Sequence, residues 1–257
     1  MPHREYVQLV PGADTAVLFL HGIVGTPRHF DKRLPLVHLV PENWSVYSVL
    51  LPGHGGSVED FSASSMQQWK DYVWNTFDDL SKTHRRVILA GHSMGTLFAL
   101  QLAIEKGEKI PFLFLLAAPI CPQVSFAAVR HSTGLVFSRK PGRNEVQDAM
   151  LDAGSVTLTK KVWKYLPWIP NLLALLSEAR KTKKMLPQLR TKAIVFQSRK
   201  DELVARRSAK YLQKCPSVHL IELKQSTHFY TVNAQMHLPC PFTLLHFSKY
   251  KTREIHT

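Results

Sequence analysis

Arg86-Val87-Ile88-Leu89-Ala90-Gly91-His92-Ser93-Met94-Gly95 is the stretch on which the reading of this chain turns. Its start is a short apolar, β-branched run that stops at Gly91, and Met94 to Lys106 then carries apolar residues at helical spacing. A serine between the two sits on a sharp strand-to-helix turn, with its backbone strained and its hydroxyl held out over the end of a sheet. The flanking glycines let strand and helix pass close together. The same turn aims the backbone N–H of Met94 at the place where an oxyanion forms. The five-residue pattern alone is common. Its strand-turn-helix setting is what separates Ser93 from an ordinary N-cap serine.

Other strands surround this one. Ala16 to Leu20 runs into His21-Gly22, and Trp44 to Leu51 runs into Pro52-Gly53-His54-Gly55-Gly56. Phe112 to Ala118 stops at Pro119, and Ala193 to Gln197 and Val218 to Leu223 each stop at polar turns. Nearly continuous apolar runs of this length suit strands buried on both faces, as in a parallel sheet. Between them, Ser65 to Lys82 places Met66, Trp69, Val73, Phe77 and Leu80 on one helical stripe, and Ser208 to Lys214 forms a further short helix. Strand and helix in repetition give an α/β fold, with a mostly parallel central sheet flanked by helices. The alternation breaks between Cys121 and Leu189, a helical, aromatic and basic stretch that contains Lys160 to Trp168 and a helix over Asn171 to Arg180. A strand resumes at Ala193, so residues 121–189 are an insertion, and residues 1–120 with 190–257 form the core domain.

A serine is a weak nucleophile without a base and an orienting acid. In this strand order the partners follow as acid and then histidine, each in a loop after a later strand. Asp201 lies in Gln197-Ser198-Arg199-Lys200-Asp201-Glu202-Leu203-Val204 after one such strand. His228 lies in Gln225-Ser226-Thr227-His228-Phe229 after the next. Glu202 is the nearest rival acid; Leu203 and Val204 turn the chain inward beyond it, which favours Asp201. His92 and His219 are less well placed than His228. In these roles His228 takes the Ser93 proton and returns it to the leaving group, while Asp201 fixes the imidazole tautomer. The second oxyanion donor belongs to the loop after the first strong strand, and the backbone N–H of Ile23, beside Gly22, is the candidate.

The whole arrangement resembles the monoglyceride lipase and carboxylesterase branch of the α/β-hydrolase superfamily. The likeness rests on Leu20-His21-Gly22 with Gly25-Thr26-Pro27, on Leu51-Pro52-Gly53-His54-Gly55, on the Ser93 motif, on Asp201-Glu202-Leu203-Val204 and on Ser226-Thr227-His228. It spans roughly Ala16 to Asn233. The resemblance implies carboxylic ester hydrolysis through an acyl-enzyme, with no metal or organic cofactor, and a helical cap inserted after the sixth strand. His21, Gly22, Trp163 and Trp168 are the substrate-contact candidates. Two departures stand out: Ser198 where the family has glycine three residues before the acid, and a tail from Met236 whose Leu238-Pro239-Cys240-Pro241 opposes a continuous last helix.

Composition bounds the alternatives. The chain has 257 residues, long enough for one large core, and 45% are hydrophobic. Three scattered cysteines fit neither a disulfide framework nor a zinc site. A charged N-terminus and apolar runs far short of the roughly 20 residues of a membrane span lead to the expectation of a cytoplasmic protein. The net charge is +14, and Cys121 to Arg190 supplies +8 of it through twelve basic residues against four acids. With no recognition motif, nucleic acid is not an expected partner. The expected partner is a small acyl ester, with a weak association of the basic cap with anionic membrane surfaces through Lys160, Lys161, Lys164, Trp163 and Trp168. Leu135, Val136, Phe137, Tyr165, Leu172, Leu173, Leu175 and Leu176 either line an acyl pocket or hold the cap to the core. A thioesterase, an acyltransferase and a catalytically silent binding protein share the same signature.

Overall fold

A computed structural model describes residues 3–123, 125 and 145–229. Seven strands form one sheet: β1 (Tyr6–Gln8), β2 (Thr15–Leu20), β3 (Ser45–Ser48), β4 (Arg86–His92), β5 (Phe112–Leu116), β6 (Lys192–Ser198) and β7 (Val218–Leu223). Their order across the sheet is β1-β3-β2-β4-β5-β6-β7. Every pairing is parallel except that of β1 with β3.

The apolar runs are continuous because both faces of the sheet are covered. On β2, Ala16, Leu18 and Leu20 join a core with Trp69, Phe77 and Leu97, while Val17 and Phe19 join another with Phe30, Leu36 and Val37. Period-two alternation of side chains thus buries every residue of the strand. The edge strand β1 is too short to show in the apolar pattern. Glu5 holds it in place, its carboxylate accepting from the Tyr47 and Tyr72 hydroxyls at 2.9 and 2.5 Å and from the Leu50 N–H at 3.2 Å.

Among the described residues the α-helices are α1 (Val58–Ser62), α2 (Met66–Thr83), α3 (Met94–Glu105), α4 (Glu145–Ala153), α5 (Ile169–Met185) and α6 (Arg207–Leu212). Ser57 with Asp60 and Ser65 with Gln68 make reciprocal capping boxes that start α1 and α2. The expected stripe on α2 is buried from Met66 to Leu80. Helix α3 is buried continuously from Met94 to Ala103, as suits a helix that is apolar all round.

The segment expected as a cap after the sixth strand instead follows β5, the fifth of the seven. Only one short antiparallel strand precedes β2, so the strand count is one lower. Its described parts lie against the core at several points. Ser155 donates its N–H to the Val24 carbonyl at 2.8 Å, and Thr157 donates to the Gly56 carbonyl at 2.9 Å. A 3-10 turn, Val162–Trp168, packs on α1, where Lys164 forms an ion pair with Glu59. Helix α5 docks on α3 and α2 through polar groups: the Gln101 amide donates to Glu178 and to the Thr182 hydroxyl, both at 2.8 Å, and Lys70 reaches Glu178 at 3.1 Å. Leu172, Leu173 and Leu176 face outward. Leu135, Val136, Phe137 and the tail from Met236 lie outside the described residues. Among the described residues no helix is long and apolar enough to cross a membrane.

Candidate active site

Four loops meet at the carboxyl edge of the sheet, where α/β folds collect their ligands. They follow β2, β4, β6 and β7. Ser93 sits between β4 and α3 at φ 51° and ψ −123°, a left-handed backbone that a side chain rarely adopts. Its N–H donates to the Leu116 carbonyl at 2.9 Å, so the strained turn is tied to the neighbouring strand. The glycines around it answer to space rather than to positive φ. A Cβ on Gly95 would collide with the Leu20 carbonyl, and one on Gly22 would stand 2.9 Å from the Ser93 Cβ. Gly22 therefore brings the β2 loop, including Ile23, against the serine. Neither the Ile23 nor the Met94 backbone N–H donates to a described residue.

Asp201 ends the turn after β6 as its own cap. Its Oδ1 accepts the N–H groups of Leu203 at 2.9 Å and Val204 at 2.8 Å, and Val204 is buried. The inward turn expected from Leu203-Val204 is thus made by the aspartate itself. His228 follows β7. Its Nδ1 lies 2.9 Å from Asp201 Oδ2 and 3.0 Å from Oδ1, and its Nε2 lies 3.0 Å from Ser93 Oγ. Ser93, His228 and Asp201 thus form one buried hydrogen-bonded chain drawn from three loops. Burial pushes the His228 imidazole down, but the charge and hydrogen bond of Asp201, aided by the charge of Glu202, outweigh it and raise the pKa.

Other buried histidines lie beside this chain. The His92 ring stacks 4.0 Å from His29 and 5.0 Å from His228, and its Nε2 donates to the His228 carbonyl at 3.1 Å. Burial and the nearby His228 hold its pKa at about 3. Sequence reading set His92 aside as a decoy. Its place directly before the serine was the available signal that it braces the His228 loop from below.

His21 and Trp168, expected as substrate contacts, both have hydrogen-bond partners within the protein. Both nitrogens of His21 are occupied within the protein, Nδ1 donating to the Gly22 carbonyl at 2.8 Å and Nε2 accepting the Leu51 N–H at 3.1 Å. It joins the loops after β2 and β3. Trp168 donates to the Val58 carbonyl at 3.3 Å and packs on Phe61 and Tyr165, so it anchors the 3-10 turn to α1. Trp163 is 61% exposed. Among the described residues, no His, Cys, Asp and Glu side chains are grouped so as to hold a metal ion. A wide cleft of about 910 Å³ lies at the opposite sheet edge, beside Thr15, Arg86 and Lys192 at the strand starts, remote from Ser93.

A family model described as the alpha/beta hydrolase family matches residues 17–236, most of the chain and all the loops named above. The chain belongs to the alpha/beta hydrolase family. The pimeloyl-[acyl-carrier protein] methyl ester esterase of Legionella pneumophila is 31% identical over 86 residues, 33% of this chain and 32% of that protein. The dihydrolipoyllysine-residue acetyltransferase component of the acetoin cleaving system of Cupriavidus necator is 30% identical over 106 residues, 41% of this chain and 27% of that protein. The chain thus spans about a third or less of the length of these curated relatives. Among solved structures, one of the metagenome-derived lipolytic enzymes LipS and LipT superposes with a TM-score of 0.64 at 18% identity, covering 94% of this chain and 97% of the other. At that identity the likeness is one of fold.

Proposed function

We propose that this family member is a serine hydrolase that cleaves carboxylic esters through an acyl-enzyme on Ser93. The observation that carries the reading is the hydrogen-bonded chain from Ser93 Oγ through His228 to Asp201, ending on a serine held at φ 51°. In the reaction, Ser93 Oγ attacks the ester carbonyl carbon as its proton passes to His228 Nε2. The carbonyl oxygen becomes an oxyanion facing the backbone N–H groups of Ile23 and Met94; one such donor is worth roughly 10²–10³ in rate. Collapse breaks the bond to the alkoxy group, which leaves as alcohol with the proton from His228. Water then attacks the acyl-enzyme by the same route in reverse, giving the carboxylic acid and restoring Ser93.

Short or medium acyl esters, including monoacylglycerol-like lipids, are the proposed substrates, with residues 121–189 as the cap that selects among them. A thioester changes only the leaving group, so thioester cleavage and acyl transfer are the competing activities. The membrane reading keeps one feature of the sequence expectation and changes another. Lys164 and Trp168 are engaged with Glu59 and Val58, but Trp163, Leu166, Ile169, Leu172, Leu173 and Leu176 are exposed, and Arg180 and Lys184 continue the outer face of α5. Large apolar side chains bordered by cations suit an anionic lipid surface.

A fluorophosphonate probe with mass-spectrometric location of the adduct tests the enzyme reading. Labelling at Ser93 that disappears in Ser93→Ala is expected, followed by hydrolysis across a p-nitrophenyl ester chain-length series. A folded protein that takes no label is a silent scaffold, and the proposal then fails. Co-sedimentation with vesicles with and without anionic lipid tests the surface, and equal binding to both removes the charge argument.

A further inference from the structure

The turn after β6 carries two adjacent acids, and both reach His228. Asp201 meets the ring at Nδ1, whereas Glu202 Oε2 accepts the backbone N–H of the same residue at 3.1 Å. Glu202 is 6% exposed, and none of the ion pairs among the described residues involves it. Its second oxygen, Oε1, is buried with no hydrogen-bond partner among those residues. Burying a carboxylate without a cation is costly and needs a compensating interaction. Its backbone is also pinned: the Glu202 carbonyl accepts the Ser125 N–H at 3.3 Å, and the next carbonyl, of Leu203, accepts the Gln123 N–H at 2.8 Å.

We propose that Glu202 is a positioning residue for the hydrolysis assigned to this site, holding the His228 backbone and adding a second negative charge that favours the imidazolium. This deepens the serine hydrolase reading and rests on it. In the transition state His228 carries a full positive charge, and a fixed buried carboxylate beside it stabilises that charge without reorganising. Among the described residues, no nearby cation is seen to oppose this field. His92 and, behind it, His29 approach from the β4 side, and His92 is neutral. The cations on the Asp201 turn point elsewhere, Lys200 to Gln225 and Arg199 to Glu222. The raised pKa of His228 has the charge of Glu202 among its causes, after burial, which opposes it, and after Asp201.

A glutamate that merely clamps a loop and one that also supplies charge make different predictions for Glu202→Gln, which keeps an oxygen for the N–H and loses the charge. The ring of His228 is titrated by NMR with ¹³C-labelled histidine and assigned by the signal lost in His228→Gln. Alongside, the pH dependence of fluorophosphonate labelling at Ser93 is recorded. The wild-type midpoint lies above 6.5, and in Glu202→Gln it falls by about one pH unit. The acid limb of labelling moves to lower pH by the same amount, and its plateau drops severalfold. Glu202→Asp keeps the charge but shortens the side chain, so the midpoint stays near wild type while labelling slows.

A midpoint in Glu202→Gln that coincides with wild type overturns the charge role, as does a midpoint in Glu202→Asp that falls as far as in Gln. The titration is read without turnover. A shifted midpoint in a protein that neither labels nor hydrolyses esters therefore separates failure of the enzyme reading from failure of this one.

Discussion

Helix α3 is buried from Met94 to Ala103, whereas its neighbour α5 turns Leu172, Leu173 and Leu176 to the outside and docks through Glu178, Ala179 and Thr182. Both helices carry leucine and alanine, but α3 has one charged residue, Glu105, whereas α5 has five, Glu178, Arg180, Lys181, Lys183 and Lys184. Their surroundings differ as well. Helix α3 lies directly on the sheet, where each apolar side chain finds a neighbour, and Ser93 stands at its N-cap. Helix α5 sits outside α3 and α2, held by a polar joint of Gln101, Lys70, Glu178 and Thr182. Apolar residues there are free to serve a surface instead of a core.

The largest expected effect that tests this contrast is at the head of α3. Gly95→Ala places a Cβ against the Leu20 carbonyl, where backbone must move. Urea unfolding should show a loss above about 4 kcal/mol, beyond the usual range for overpacking because the obstacle is main chain. Probe labelling of Ser93 should vanish with it.

Deeper in the same helix, Leu97→Ala leaves a cavity at a fully buried position. A loss of about 3 kcal/mol in the same assay is expected, within the range for buried leucines.

Acid should act on the α3 side of the contrast as well. Burial holds His54 at about 4, and burial with the nearby His228 holds His92 at about 3, so both stay neutral in the folded protein. The unfolded chain takes up protons below about 6.5. Stability from these groups is therefore present above 6.5 and lost as pH falls toward 4 for His54 and toward 3 for His92, by at most roughly 3 kcal/mol for the first and roughly 5 kcal/mol for the second. Hydrogen exchange should show α2 and the β4–α3 turn weakening between pH 6.5 and 4, with no earlier opening of the outer face of α5.

The joint between the helices should respond less. Gln101→Ala strips Glu178 and Lys70 of a shared partner, at a cost of about 1–2 kcal/mol in the urea midpoint. On the outer face, Leu173→Ser with Leu176→Ser should change stability by no more than about 0.5 kcal/mol. A loss of 2 kcal/mol or more would show that these leucines are packed, and the contrast would break. Partition onto anionic vesicles is where this double variant should show a deficit.

Much of the geometry of the proposed site was legible from order and spacing. Ser93, Asp201 and His228 follow recognisable strands, and the inward turn at Leu203-Val204 marked Asp201 over Glu202. What escaped were roles fixed by three-dimensional neighbours. His21 reads like a binding residue from its place in Leu20-His21-Gly22, yet it closes the gap to Leu51, 30 positions away. Trp168 reads like pocket lining, yet its indole N–H is held by Val58. Glu202 was weighed as a rival to Asp201, whereas the two acids address different atoms of one histidine.

By itself the sequence determined that β2, β4, β5 and β6 are buried on both faces and where Ser93 turns, because continuous apolar runs and a Gly-x-Ser-x-Gly elbow are local properties of the chain. Strand β7, read the same way, is mostly half-buried at the sheet edge. The sequence also determined the order serine, acid, histidine. Only the tertiary structure decided which side of α5 faces the protein and which partner each buried histidine takes. Those outcomes depend on groups far apart in the chain that come within hydrogen-bond reach only once the sheet has formed.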